Sequence, residues 1–308
     1  MRPSTLAAGT VGGHPGGMGR IIVGVDGSRN SAAALRWAVA EGRLRDLAVT
    51  AVYVWGYYDP PAADDGSFEP AYSDTEAQEA LRRAVADALG EEAAEHVDRR
   101  VVFGQASRAL LDAAADAGAD LVVVGARGVG GFRGMLLGSV AQQCLHHTDR
   151  PLAVVPARDE EDATPEGTPR VVVGVDGSAA SRWALEWALD EGRLRRATVD
   201  VVHAWHLPYV VGHPLAPVPV DTGALEEEAR RLVDQMVDGA DTRGLPRPPE
   251  RIVAMGNAAR VVLDVAEGAD LIVLGSRGLG GFAGLLLGSV TQHVVNHADC
   301  PVVVIPSS

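Results

Sequence analysis

The sequence predicts an α/β fold made twice over: two tandem, doubly wound, mostly parallel sheets of five strands each. Three observations predict it. Short β-branched runs alternate with helical stretches of about 10–15 residues, a rhythm that demands right-handed crossovers between parallel strands. The strand runs are apolar throughout, as expected where helices cover both faces of a sheet. The pattern also repeats: IIVGVDGS at 21–28 returns as VVVGVDGS at 171–178. The same offset of 150 carries Trp37 onto Trp187, Trp55 onto Trp205, Gly125 onto Gly275, Ser139 onto Ser289 and Pro151 onto Pro301. That period is a domain length, far beyond the roughly 20–50 residues of a solenoid repeat.

Each element of the first copy has a local reason. Residues 20–26 (RIIVGVD) are a β-branched run ending at Gly27, a buried strand. Ser28 is placed to cap the helix that SAAALRWAVAEGRLR forms, with Ala, Leu and Trp at helical spacing. AVTAVYVW (48–55) is the second strand, and the polar, Pro-bearing stretch 56–74 is a loop. TEAQEALRRAVADALGEEAAEH reads as one helix, RRVVFG (99–104) as a strand and ASRALLDAAADAG (106–118) as a helix. ADLVVVGARG (119–128) is the fourth strand with its exit, a helix begins near Ser139, and PLAVVP (151–156) closes the unit. The expected organisation is a disordered Gly-rich leader at 1–19, one unit at 20–156, a charged, Pro-bearing linker at 157–169 and a second unit at 170–306.

Composition narrows the function. The 308 residues carry 27 Lys+Arg against 41 Asp+Glu, a net charge of −14, which argues against a nucleic-acid partner. With 47% hydrophobic and 22% charged residues, general disorder is excluded. Cys144 and Cys300 cannot build a disulfide framework; they do not correspond under the offset and read as inert packing residues. No apolar run reaches the roughly 18 residues of a membrane helix, and the leader lacks the apolar core of a signal peptide. A soluble, cytoplasmic protein with no membrane partner is expected.

In a doubly wound sheet, ligands sit beyond the carboxyl ends of the strands, where the winding reverses. Strand one exits there at Asp26-Gly27-Ser28 and strand four at Gly125-Ala126-Arg127-Gly128, followed by nine residues and then Gly138-Ser139 at a helix start. The second copy gives Asp176-Gly177-Ser178, then Gly275-Ser276-Arg277-Gly278, nine residues and Gly288-Ser289. The repeated G-x2-G-x9-G-S pattern reads as a phosphate cradle. Glycine permits positive φ and lets backbone approach an anion closely. The helix beginning at Ser139 and Val140, or at Ser289 and Val290, offers free N–H groups and the positive end of its dipole. Arg127 and Arg277 can add charge-assisted contacts to a phosphate tail, or lie solvated at the surface. A methyl on Gly138 or Gly288 is expected to stand where phosphates approach. The bland alternatives are that Ser139 is only an N-cap and that Asp26 is only a turn aspartate bonding its own backbone.

These residues resemble the universal stress protein family, in its ATP-binding branch, over essentially all of 20–156 and 170–306. The resemblance implies a Rossmann-like fold of the adenine nucleotide α-hydrolase type, sheet order 3-2-1-4-5, and ATP as ligand, with or without Mg2+. It implies that Asp26 and Asp176 lie at the nucleoside end. Val54 and Ala204, at the end of strand two, would flank adenine, and Val124 and Leu274 would line the pocket. Gly125, Gly128, Gly138 and Ser139, with Gly275, Gly278, Gly288 and Ser289, would hold ribose and phosphates. It also implies that the last strands pair the two halves within the chain, with a homodimer and a protein partner still to be identified.

Other signals carry less. GLGGFA (278–283) mimics a dinucleotide fingerprint but follows strand four, and its counterpart GVGGFR fails at Arg133. No P-loop and no G-x-S-x-G elbow is present. His293 and His297 share a helix face, yet their counterparts Gln143 and His147 do not repeat the pair, so no metal site is expected. His203, whose counterpart is Tyr53, reads as a half-buried strand residue. The leading expectation is a nucleotide-binding regulatory module in a stress response. The alternative is a slow ATP hydrolase or a phosphate- or adenylate-transferring enzyme.

Overall fold

The computed structural model describes residues 19–56, 73–128, 137–157, 167–207, 221–279 and 287–307. The expected leader, most of the linker, and the interiors of the loops after strands two and four of each copy lie outside the described residues.

The first half runs β1 (Arg20–Gly24), α1 (Arg29–Arg45), β2 (Ala48–Trp55), α2 (Asp74–Leu89), α3 (Glu91–Ala94), β3 (Asp98–Phe103), α4 (Ala106–Asp116), β4 (Leu121–Gly125), α5 (Ser139–His147) and β5 (Leu152–Val155). The second runs β6 (Arg170–Gly174), α6 (Ala179–Arg195), β7 (Thr198–Trp205), α7 (Thr222–Asp238), β8 (Glu250–Met255), α8 (Ala258–Val265), β9 (Leu271–Gly275), α9 (Ser289–His297) and β10 (Val302–Ile305).

All ten strands form one sheet in the order β3-β2-β1-β4-β5-β10-β9-β6-β7-β8. Every pairing is parallel except the central one, where β5 and β10 meet antiparallel with Val154 opposite Val302 and Leu152 opposite Val304. Within each half the order is therefore 3-2-1-4-5. Successive strand residues point to opposite faces, which divides the core. Ile21 and Val23 pack with Leu35 of α1 and Leu81 of α2, while Ile22 packs with Leu110 of α4 and Leu145 of α5. Both layers continue unbroken into the second half, through Val173 and Leu185 on one face and Ile272 and Val294 on the other.

Two local expectations are corrected. The stretch expected as one helix over TEAQEALRRAVADALGEEAAEH breaks at Gly90, whose φ of +80° ends α2 before the short α3. Helix α2 starts one residue before the expected stretch, behind a capping box in which Ser73 and Glu76 bond each other's backbone N–H. The strands are also not apolar throughout: β3 (DRRVVF) and β8 (ERIVAM) are the sheet edges, and neither has a fully buried residue. Edge strands carry charge without burying it, and Arg251 of β8 uses this to reach Asp234 and Asp238 of α7 at 2.5 and 2.6 Å.

Helices α1 and α6 meet across the junction in a buried ionic quartet. Arg45 bonds Glu41 on its own helix and Glu191 on α6; Arg195 bonds Glu191 and, reciprocally, Glu41. Both carboxylates have 0% exposed side chain. Each guanidinium also lies over the other half's indole, Arg45 4.6 Å from the Trp187 ring centre and Arg195 5.9 Å from that of Trp37.

Candidate functional site

The site in each half grows from two strand ends and one helix start. Beyond β1 the chain turns at Asp26-Gly27-Ser28, with Gly27 at φ +80° and Gly177 at +85° in the second copy. Ser28 and Ser178 cap α1 and α6 by accepting from the N–H groups of Ser31 and Ser181. Asp26 and Asp176 accept the N–H of Ser28 and Ser178 at 3.0 Å, so the turn-aspartate geometry is present in both copies.

The carboxylate does more than close its own turn. The second Asp176 oxygen accepts the N–H of Leu279 at 2.7 Å, tying the exit of β6 to the exit of β9. Burial pushes the Asp176 carboxyl up, but its hydrogen bonds with Ser178, Leu279 and Ser181 outweigh that and hold it below its ordinary value.

The excursion after β4 is closed at its base. Ala126 N–H donates to Val155 of β5 at 2.8 Å, and Gly138 N–H returns to the Ala126 carbonyl at 2.7 Å. Ser276 to Ile305, and Gly288 to Ser276, repeat this at 2.7 Å each. Both ends of the nine-residue excursion thus meet at one point, directly under the start of α5 or α9. Gly138 and Gly288 are the N-caps of those helices, and neither cap has a side-chain hydrogen bond. Ser139 and Ser289 are therefore first helical residues rather than caps, which corrects the bland reading of these serines. Among the described residues, no side chain caps the first-turn N–H groups of either helix, which leaves them for another acceptor.

Of the two reasons expected for the glycines, positive φ is not the one. Gly125, Gly128 and Gly138 are not among the positive-φ residues. They are small because protein presses on them. A Cβ on Gly125 would stand 2.7 Å from the Asn30 carbonyl carbon, and one on Gly275 would stand 2.9 Å from that of Ala180, each at the start of the helix after strand one. One on Gly128 or Gly278 would strike Asp26 or Asp176 at 2.5 or 2.2 Å. For Gly138 the nearest atom is Arg127 Cα at 3.3 Å, and for Gly288 the Ser276 carbonyl oxygen at 3.3 Å. A methyl on Gly138 or Gly288 would also crowd the strand exit.

In the second half these parts enclose a cleft of about 210 Å3. Asp176, Ala204, Leu274, Gly275, Arg277, Gly278, Gly288, Ser289 and Val290 all line it. Gly177 and Ser178 do not; they form the turn beneath Asp176. Sequence reasoning missed Thr291, whose hydroxyl donates to the Gly275 carbonyl at 2.7 Å and ties α9 to the end of β9. A hydroxyl two residues past the helix-start serine was the available signal, but its counterpart Ala141 has none. His203 also borders the cleft; half-buried as expected, it donates from Nδ1 to the Val175 carbonyl at 2.8 Å.

In the first half, Val54 sits near the end of β2 opposite Val102, and Val124 is buried on β4 opposite Val154. Arg127, Gly128, Ser139 and Val140 are exposed, and Ser28 Oγ donates to the Arg127 carbonyl at 3.3 Å. His297 Nδ1 bonds the His293 carbonyl at 2.8 Å with the two rings stacked, and no group of three or more metal-ligating side chains occurs among the described residues. Burial pushes the Cys144 thiol up to about 12. No helix among the described residues is long and apolar enough to cross a membrane.

Comparison with known proteins converges on one family. The universal stress protein family model matches residues 18–156 and again 167–306. A universal stress protein of Mycolicibacterium smegmatis is 34% identical over 290 residues, covering 92% of this chain and 96% of that protein. Universal stress protein Rv1996 of Mycobacterium tuberculosis is 32% identical over 301 residues, covering 92% and 94%. Among solved structures, a universal stress protein from Archaeoglobus fulgidus superposes with a TM-score of 0.62 at 19% identity, over 94% of this chain and 96% of that one. A functionally unknown protein from Pseudomonas aeruginosa gives 0.63 at 14% identity, over 94% and 92%. With two matched segments spanning nearly its whole length, the chain belongs to the universal stress protein family.

Proposed function

We propose that each half binds one ATP, free or as its magnesium complex, and that occupancy regulates the protein rather than feeding a rapid reaction. The observation that carries this is the second cleft. A helix start with uncapped N–H groups faces a cavity walled by an apolar strand end and by the pinned exits of two neighbouring strands. A phosphate satisfies the first turn of α9 and its dipole. The base end takes the apolar wall at Ala204 and Leu274. The same backbone recurs in the first half at Gly138–Val140.

Binding feeds directly into stability. At ATP about 1,000-fold above Kd, each site adds about 4 kcal/mol to the folded state, enough to tie its population to energy supply. The test is to purify the chain without added nucleotide, denature it by heat, and identify and count what is released. Two ATP per chain is the expected result. ADP or AMP in their place favours a hydrolase, and no release together with no ATP uptake on titration refutes the reading.

A further inference from the structure

The second cleft carries a latch that the first lacks. Arg277, at the exit of β9, turns both Nε and Nη2 onto the hydroxyl of Ser307, with Nε at 2.7 Å. Ser307 lies two residues beyond β10 and is itself fixed. Its N–H donates to Ser276 Oγ at 2.9 Å, and Ser276 is one of the few buried polar residues of the chain. Under the 150-residue offset, Ser276 and Ser307 become Ala126 and Ala157. The first half therefore has no hydroxyl at either place, and Ala157 N–H goes to Asn30 instead, at 2.9 Å. Arg127 remains exposed, with no hydrogen bond or ion pair to its side chain among the described residues.

A guanidinium grips phosphate best through a pair of parallel N–H groups, and the Nε–Nη2 edge is one such pair. In the second half that edge is occupied by a neutral hydroxyl; in the first, no described residue occupies it. The geometry points to Ser307 as a positioning residue that competes with a nucleotide's phosphates for Arg277 and makes the second site the weaker of the two. This rests on the nucleotide reading above.

The experiment is calorimetric titration of the full chain with ATP and, separately, with adenosine. It compares wild type, Ser307→Ala and Ser307→Asp, each also on an Arg277→Ala background. Ser307→Ala frees the guanidinium and tightens the weaker ATP affinity about fivefold, the worth of one ordinary hydrogen bond. Ser307→Asp holds the guanidinium with a charge and weakens the same affinity by about tenfold. Adenosine, which has no phosphate, binds the Ser307 variants alike, and on the Arg277→Ala background the gain from Ser307→Ala vanishes. ATP affinities unchanged in both Ser307 variants overturn the latch and leave the nucleotide reading standing. So does a gain from Ser307→Ala that persists with adenosine or without Arg277. No ATP binding by the wild-type chain overturns both.

Discussion

Glu41 is the most informative single position for stability. Burial, and then the Glu191 carboxylate facing it, push Glu41 up from its ordinary 4.5 to about 7, against the pull of Arg195 and Arg45. Glu191 is moved the other way: burial raises it, but Arg195 and Arg45 outweigh that and hold it low. The sign follows. A carboxyl with a raised folded pKa keeps a proton that the unfolded chain has released. Its contribution is full below about 4.5 and is lost as pH climbs through about 7. At about 1.4 kcal/mol per pH unit, that rise corresponds to about 3 kcal/mol of stability given up between pH 5 and pH 8. Glu191 stays ionised across that window and does not contribute to the slope. Glu41→Gln keeps the shape of the protonated carboxyl and cannot ionise. Urea unfolding of wild type and Glu41→Gln at pH 4, 7 and 8.5 therefore gives nearly equal stabilities at the lowest pH. By the highest the variant gains about 3 kcal/mol over wild type, while every other titrating group cancels in the difference. Glu41→Ala, which leaves its partners facing an empty buried site, loses about 3–5 kcal/mol at the lowest pH, and that deficit shrinks by about 3 kcal/mol at the highest because it too has no carboxyl to ionise. Parallel pH profiles for wild type and Glu41→Gln would refute the account of a proton retained on Glu41.

Two further outcomes follow from packing alone. Gly275→Ala forces a methyl to 2.9 Å from the Ala180 carbonyl carbon, a backbone atom that cannot turn away. It should cost about 1–3 kcal/mol whether or not nucleotide is present, read as a drop in Tm without ligand. Cys144, fully buried with its thiol pushed up to about 12, should resist a thiol reagent in the native state at pH 8 and react at once in denaturant; fast native labelling would contradict its burial.

Most of the architecture was legible because the two signals that specify it are local and repeated. β-branched runs of five to eight residues, punctuated by Asp-Gly and helix caps, place β1, β2 and β4 and their counterparts directly. Gly90 escaped because a glycine inside a strong helical pattern does not announce its φ. The polar edges escaped because which strands lie at the edge is set by the sheet order, although Arg99 and Arg100 are already polar in the sequence. At the site, the spacing of Gly125, Gly128, Gly138 and Ser139 located the excursion, but not why the glycines are there. Pressure from Asn30 and Asp26 is a contact across about 100 residues of chain, invisible to any window. The same holds for the quartet. Glu41 and Arg45 look like an ordinary i, i+4 surface pair until α6 is laid over them. The Ser276–Ser307–Arg277 latch is a departure from the repeat, and a reading that seeks correspondences passes over departures.

The antiparallel seam between β5 and β10 has a geometric consequence for how the protein is read by others. Every other strand runs parallel to its neighbours, so this one reversal sets all the strands of one half against all the strands of the other. The carboxyl-terminal rims, where the two candidate clefts form, therefore look out from opposite ends of the sheet. A partner of ordinary size docked at one rim has no view of the other. On the proposed function, one rim can be filled while the other, at the opposite end of the sheet, stands empty.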